Sequence, residues 1–142
     1  MRNLILLLLL VSCNKSVEKK NTFYAIDPAF SEYVLDFTKD LETIGEDLNN
    51  DNLSFSIIMG RLPRNVVGIA IGMDNDYAVN VVISQYYWNR LNKDERKMLI
   101  YHELSHDVFN ITHGTCRIMD SSFGIKDLDA AIVELMNVIK NR

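Results

Sequence analysis

Asn92-Lys93-Asp94-Glu95 and, two turns further on, His102-Glu103-Leu104-Ser105-His106-Asp107-Val108-Phe109-Asn110 belong to one uninterrupted helical pattern, and its reading decides the rest of the chain. Asn92 followed three residues later by Glu95 is a capping box, in which each side chain satisfies a backbone N–H that the helix leaves without a partner. Asp94 and Glu95 lie in the first turn, where the helix dipole favours negative charge. The helix is therefore predicted to start beside Asn92 and to run through Met98, Leu99, His102 and His106 to about Phe109.

All three histidines of the chain fall inside twelve residues, at 102, 106 and 113. Positions four apart share one helix face. His102 and His106 can thus aim two imidazoles at one cation about 2.0–2.1 Å from each nitrogen, the distance zinc requires. Glu103 is one step around the helix, displaced from the two ligands, which suits a carboxylate that takes a proton and does not bind the ion. His102-Glu103-Leu104-Ser105-His106 has the H-E-x-x-H form.

Working outward, Pro28, Phe30, Tyr33, Val34, Phe37, Leu41, Ile44 and Leu48 repeat at three and four residues, predicting an amphipathic helix over 28–48 with Asp27 as cap and Pro28 in its first turn. Three strand-like runs follow, over 53–62, 66–73 and 78–84. The turn chemistry of Asp74-Asn75-Asp76 makes the last two a hairpin. Gln85 to Trp88 is a dense aromatic patch, read as core. After a loop over 110–125, Leu128, Ala131, Ile132, Leu135 and Ile139 make 126–140 a closing amphipathic helix. The expected class is α+β: helix, three or more strands in a mixed sheet, the histidine helix, a loop, and a C-terminal helix.

From Tyr101 to Asp120 the sequence resembles the active-site region of metzincin zinc metallopeptidases, a branch of the zincins. The matching features are the H-E-x-x-H helix, a bend, a later third histidine, and Ile118-Met119-Asp120, which is similar to the family's methionine turn. The resemblance implies a small zincin-like domain holding Zn2+ through His102, His106 and His113. It makes Glu103 the general base and Met119 an apolar floor beneath the metal. The family pattern is H-E-x-x-H-x-x-G-x-x-H; here the third histidine arrives one residue late and Phe109 stands at the glycine position. Asn110, three residues before His113, keeps the glycine's usual distance, and Asn tolerates the left-handed conformation that ends a helix sharply. A gluzincin-like alternative takes Glu134 on the last helix as third ligand. Asp107 and Asp120 are candidates to hold an imidazole N–H.

Residues 1–12 read as a signal peptide: Arg2 supplies the positive start, and the apolar run from Leu4 to Val11 is far shorter than the roughly 20 residues that span a bilayer. Leu10-Val11-Ser12-Cys13 resembles the lipobox of bacterial lipoproteins. This implies a lipid anchor at Cys13 and a place on the exported side of the cell envelope membrane. Residues 13–22 are a polar tether with Lys15, Lys19 and Lys20, and 23–142 form the folded domain. With Cys13 lipidated, Cys116 has no disulfide partner and is either a weak competing ligand or a small buried residue.

The chain has 142 residues, 48% of them hydrophobic and 24% charged, which suits one globular domain with its own core. A net charge of -4 without a concentrated basic face excludes tight nucleic-acid binding. The expected function is a monomeric, membrane-tethered zinc endopeptidase acting on a peptide or protein substrate. The alternatives are a non-catalytic lipoprotein of the same fold that binds a peptide or partner, and a structural lipoprotein without metal.

Overall fold

The computed structural model describes residues 24–48, 54–71, 78–120 and 124–142. The signal peptide, the tether and Cys13 lie outside the described residues, as do the Asp74-Asn75-Asp76 turn and the ends of two predicted strand runs. Four strands are described: β1 (Tyr24–Ile26), β2 (Ser54–Gly60), β3 (Gly68–Ile71) and β4 (Ala78–Ser84). The helices are α1 (Ser31–Thr43), the single turn α2 (Gln85–Trp88), α3 (Lys93–Phe109) and α4 (Leu128–Lys140). The class is α+β with a mixed sheet, as the sequence predicts.

The sheet order is β1-β2-β4-β3. β1, β2 and β4 run parallel, and β3 pairs antiparallel with β4 at one edge. The β3–β4 pairing is the expected hairpin. β1 has no counterpart among the predicted elements, because three residues are too short a run to show a period.

On β2 and β4, buried and partly exposed residues alternate, so Phe55, Ile57, Val79, Val81 and Ile83 point into the core. There they meet the apolar faces of the helices. Phe37 of α1 stands edge-on to Tyr101 of α3 with ring centroids 5.0 Å apart, and both rings are buried. The Tyr101 hydroxyl donates to Asp40 Oδ2 at 2.6 Å, which ties α3 to α1. Each such buried ring or branched side chain contributes roughly 1.5–3 kcal/mol.

Two boundaries differ from expectation. The chain enters the first helix through a 3-10 turn at Pro28–Phe30, where Asp27 Oδ1 accepts the Ala29 N–H. α1 then stops at Thr43 and not at residue 48, because the chain reverses at Gly45, whose φ of +86° is left-handed. Leu48 is buried all the same, so its contribution to the apolar period is genuine, but it comes from beyond the end of α1.

α3 is capped as the sequence predicts: Asn92 Oδ1 accepts the Glu95 N–H at 3.0 Å, and Glu95 Oε2 accepts the Asn92 N–H at 2.8 Å. It ends at Phe109, and Asn110 takes φ 52° and ψ 31°, the left-handed cap. A left-handed L-residue costs about 1–2 kcal/mol, least for Asn and nothing for Gly. Asn110→Ala is therefore expected to lower unfolding stability by roughly 1 kcal/mol, whereas Asn110→Gly stays within a few tenths of wild type. Equal urea midpoints for the alanine and glycine variants would refute that account of the bend.

Candidate metal centre

Reversal at Asn110 builds the site. The Asn110 and Ile111 N–H groups donate back to the carbonyls of His106 and Ser105, at 3.0 and 3.2 Å. Ile111 is thereby fixed beside the end of α3, and its own carbonyl accepts from His106 Nδ1 at 2.6 Å. Two residues later His113 returns to the helix. Gly114 N–H then donates to the Met119 carbonyl at 3.0 Å, closing the loop on the 3-10 turn Arg117–Met119. The carbonyl of Ile118 in that turn accepts from His102 Nδ1 at 2.8 Å.

These two backbone bonds decide the tautomers. A carbonyl only accepts, so Nδ1 carries the proton in both His102 and His106, and in the neutral rings Nε2 presents a lone pair. The Nε2 atoms of His102, His106 and His113 converge, with separations of 3.0 Å (102–106), 3.1 Å (102–113) and 2.9 Å (106–113). Between His102 and His106 no proton is available in the neutral state, so lone pair faces lone pair. That contact is repulsive unless a cation lies among the three. Two nitrogens about 2.05 Å from one centre and about 3.0 Å apart subtend roughly 95°, an ordinary ligand angle for a small divalent ion. The three histidines can thus hold a metal ion, and they are the one such cluster found among the described residues.

Burial pushes the His102 imidazole down to about 4, with the neighbouring histidines adding to it and the Ile118 bond opposing. Burial likewise lowers His106. Rings that resist protonation keep their lone pairs for a metal.

Glu103 is 6% exposed. Burial raises its carboxyl to about 7; the Ala70 backbone amide holds it down, and the Asp107 charge raises it further. A group poised near neutrality is suited to exchange protons. Opposite it stands Gly68 of β3, where an added Cβ would lie 2.5 Å from Glu103 Oε1 and 2.9 Å from Cδ. The glycine inside a strand run is thus a close backbone approach to a carboxylate. Its place in the run was visible in the sequence; its partner was not.

Other expected residues fall differently. Asp107 does not hold an imidazole N–H, since both Nδ1 protons already go to backbone carbonyls. Its Oδ2 accepts the Asn80 N–H of β4 at 2.6 Å, and its Oδ1 is buried without a hydrogen-bond partner among the described residues. Burial raises the Asp107 carboxyl to about 6. Asp120 lines the cleft with His102 and His113, and its charge favours the protonated form of His102. The Nδ1 proton of His102 belongs to Ile118, not to Asp120. Glu134 stands outside the histidine cluster: it pairs with Arg117 Nε at 2.7 Å on an exposed stretch of α4. Met119 is fully buried beside the carbonyl that orients His102. Cys116 is also buried and stands outside the histidine cluster, so the small-buried-residue reading holds.

The site opens between α3 and the edge strand. One cavity of about 380 Å³ is lined by Gly68, Ile69, Ala70, Glu103, His106 and His113, among others. A second, of about 230 Å³, lies on the other side of Gly68, Glu103 and His113, against the chain leading into β3. Ser84 N–H donates to the Val67 carbonyl at 2.9 Å, and Gly68 and Ala70 pair with Ile83 and Val81. By antiparallel alternation, the polar backbone groups of Gly68 and Ala70 then face away from β4, towards the open edge. Comparison with protein-family profiles, with curated proteins and with solved structures finds no match to this chain.

Proposed function

We propose that this chain is a zinc-dependent peptidase of zincin type, with His102, His106 and His113 as ligands and Glu103 as the proton-transferring base. The observation that carries the reading is the convergence of three Nε2 atoms beside a buried carboxylate raised towards neutrality. An all-imidazole donor set with an open side suits zinc, which would supply Lewis acidity, polarising a carbonyl and lowering the pKa of water towards about 7.

The chain's own groups do the rest. Ile118 and Ile111 hold the His102 and His106 rings in the ligating tautomer. Glu103 takes the proton of the attacking water, and the same carboxyl then delivers it to the leaving amine. The open edge of β3 offers the Gly68 backbone groups and the Ala70 carbonyl to an extended peptide, which would add as a further strand across the trio, while the Ala70 N–H serves the Glu103 carboxylate. That choice of strand follows from the sheet order, since β4 is paired on both sides.

The same reading puts the domain on the exported side of a bacterial membrane, tethered through Cys13. The apolar run ending at Cys13 supports it. Elemental analysis of the purified protein is expected to give about one zinc per chain, and a chelator is expected to abolish hydrolysis of a peptide library. Zinc near zero in protein purified without chelator and refilled with zinc would sink the proposal.

Gly68→Ala offers a sharper check on the base. The new methyl would meet the Glu103 carboxylate at 2.5 Å, so either the carboxylate or β3 must shift. Displacements approaching 1 Å cost up to about 100-fold, so turnover is expected to fall at least ~10-fold with zinc content unchanged. Wild-type kinetics in this variant would show that Glu103 does not need its observed position.

A further inference from the structure

We infer that the outer face of the sheet docks on the anionic bilayer to which Cys13 tethers the chain, with the histidine cluster on the side turned to water. The inference rests on the lipid-anchor part of the reading above and adds which surface meets the lipid. The cross-strand register sets Ser56, Asn80 and Ile71 in one row and Ile58, Val82 and Ile69 in the next. Both rows lie on the face opposite Ile57, Val81 and Ile83, and none of the six is buried. Ile58 and Ile71 are 45% and 52% exposed. β1, β2 and β4 run parallel, and parallel strands are ordinarily covered on both faces. Here the helical core takes one face and leaves an aliphatic row on the other.

Charge points to the occupant. Residues 54–71 and 78–92 carry Arg61, Arg64 and Arg90, all exposed, and no acidic residue, in a chain of net charge -4. The three arginines follow the ends of β2 and β4. Val82 Cγ1 reaches over Gly60, where an added Cβ would meet it at 2.5 Å, so the aliphatic row continues up to Arg61. The Asn65 N–H donates to the Tyr87 hydroxyl at 3.1 Å, which fastens the loop carrying Arg64 to the helical turn after β4. Within that turn Trp88 packs against Phe30 and Tyr33 in the core. Tyr86 does not: it is 59% exposed, and the Arg90 guanidinium lies 3.7 Å from its ring centroid. Guanidinium groups bond phosphate, and a tyrosine ring with a polar tip suits headgroup depth.

Chain length agrees. Ten residues, 14–23, join Cys13 to β1, an edge strand of this same sheet. Fully extended they reach at most about 35 Å, and three strand spacings make the sheet about 14 Å wide. The anchor therefore enters through the sheet and keeps its outer face within reach of lipid. Lys15, Lys19 and Lys20 on the way add charge of the same sign. A lipid alone holds a domain near a membrane without orienting it; a basic, aliphatic face supplies the second contact.

The test uses the lipidated chain, purified from membranes in detergent and reconstituted on phosphatidylcholine vesicles with or without phosphatidylglycerol. Ile58→Cys and Ile71→Cys report on the outer face. Leu35→Cys on α1 and Val133→Cys on α4, 54% and 61% exposed in the parent residues, report elsewhere. Each carries an environment-sensitive dye; lipid occupies Cys13, and Cys116 is buried. Flotation reads the anchor, and quenching by a headgroup spin label reads the docked face. On anionic vesicles the labels at 58 and 71 are expected to be quenched at least ~3-fold more than those at 35 and 133. Without phosphatidylglycerol, or with Arg61→Gln and Arg64→Gln together, the ratio is expected to fall below about 2-fold. Should one outer-face variant fail to fold, the other reads the same surface.

A chain that floats while all four labels quench equally overturns the docked face and leaves the anchor standing. A chain that does not float overturns the anchor and the docked face with it. Contrast that survives both the loss of anionic lipid and the arginine changes overturns the electrostatic part. A dimer whose 58 and 71 labels are shielded before lipid is added gives the face to a second copy of the chain and overturns the inference.

Discussion

His113→Ala is expected to weaken zinc binding at least ~100-fold, beyond the 10–100-fold typical of losing a group that merely orients a ligand. His102 and His106 would remain, each pinned through Nδ1 to a backbone carbonyl, but two ligands from one helix face leave the ion under-coordinated. The control is Glu134→Ala. It breaks an exposed ion pair with Arg117 that contributes under about 1 kcal/mol, and zinc should stay at one per chain. Zinc stoichiometry and competition against a chromogenic chelator check both variants. Zinc retained in the histidine variant and lost in the glutamate variant would transfer the third ligand to α4.

That pair of outcomes also measures how far spacing can be trusted. The displacement of the third histidine by one residue looked like a defect, since an extra helical residue rotates the exit by about 100°. The structure shows why it is not one. Phe109 is simply the last residue of α3, and Asn110 supplies the left-handed pivot. The helix, its cap, the pivot and the three converging histidines were all legible because each is a local pattern of period, capping or turn chemistry.

What was not legible is long-range. Nothing local says that Ile111 and Ile118 donate no side chain to the site but fix the imidazoles through their carbonyls. The Asp107 carboxylate was expected beneath an imidazole, yet it serves a strand 27 residues away in sequence. The Gly68–Glu103 approach and the Tyr87–Asn65 bond likewise join elements whose proximity only the sheet order creates. β1 escaped notice for another reason: it becomes a strand only through pairing with β2.

Glu103→Gln is expected to separate function from stability in opposite directions. The amide cannot take a proton, so peptide hydrolysis should fall by about 10²–10⁴-fold while the three imidazoles still hold zinc. In the zinc-free protein the same change should stabilise the fold, and the pH dependence gives the sign. The Glu103 carboxyl titrates near 7 in the folded state against 4.5 as its ordinary value. Below pH 4.5 both folded and unfolded chains hold the proton, and nothing is lost. Between 4.5 and 7 the folded chain holds more protons than the unfolded one, so stability falls as pH rises. Above 7 the buried charge costs the native state its full penalty, roughly 2–4 kcal/mol before relaxation. Glu103→Gln removes that penalty, so its melting temperature should exceed wild type clearly at pH 8 and little at pH 4.5. A glutamate kept for packing or for a salt bridge would behave the other way, its loss lowering stability at neutral pH. A binding module that does no chemistry predicts no difference in turnover at all. Only a carboxylate maintained at a cost to the fold, in reach of a metal and an open sheet edge, gives a variant that is sturdier and inert.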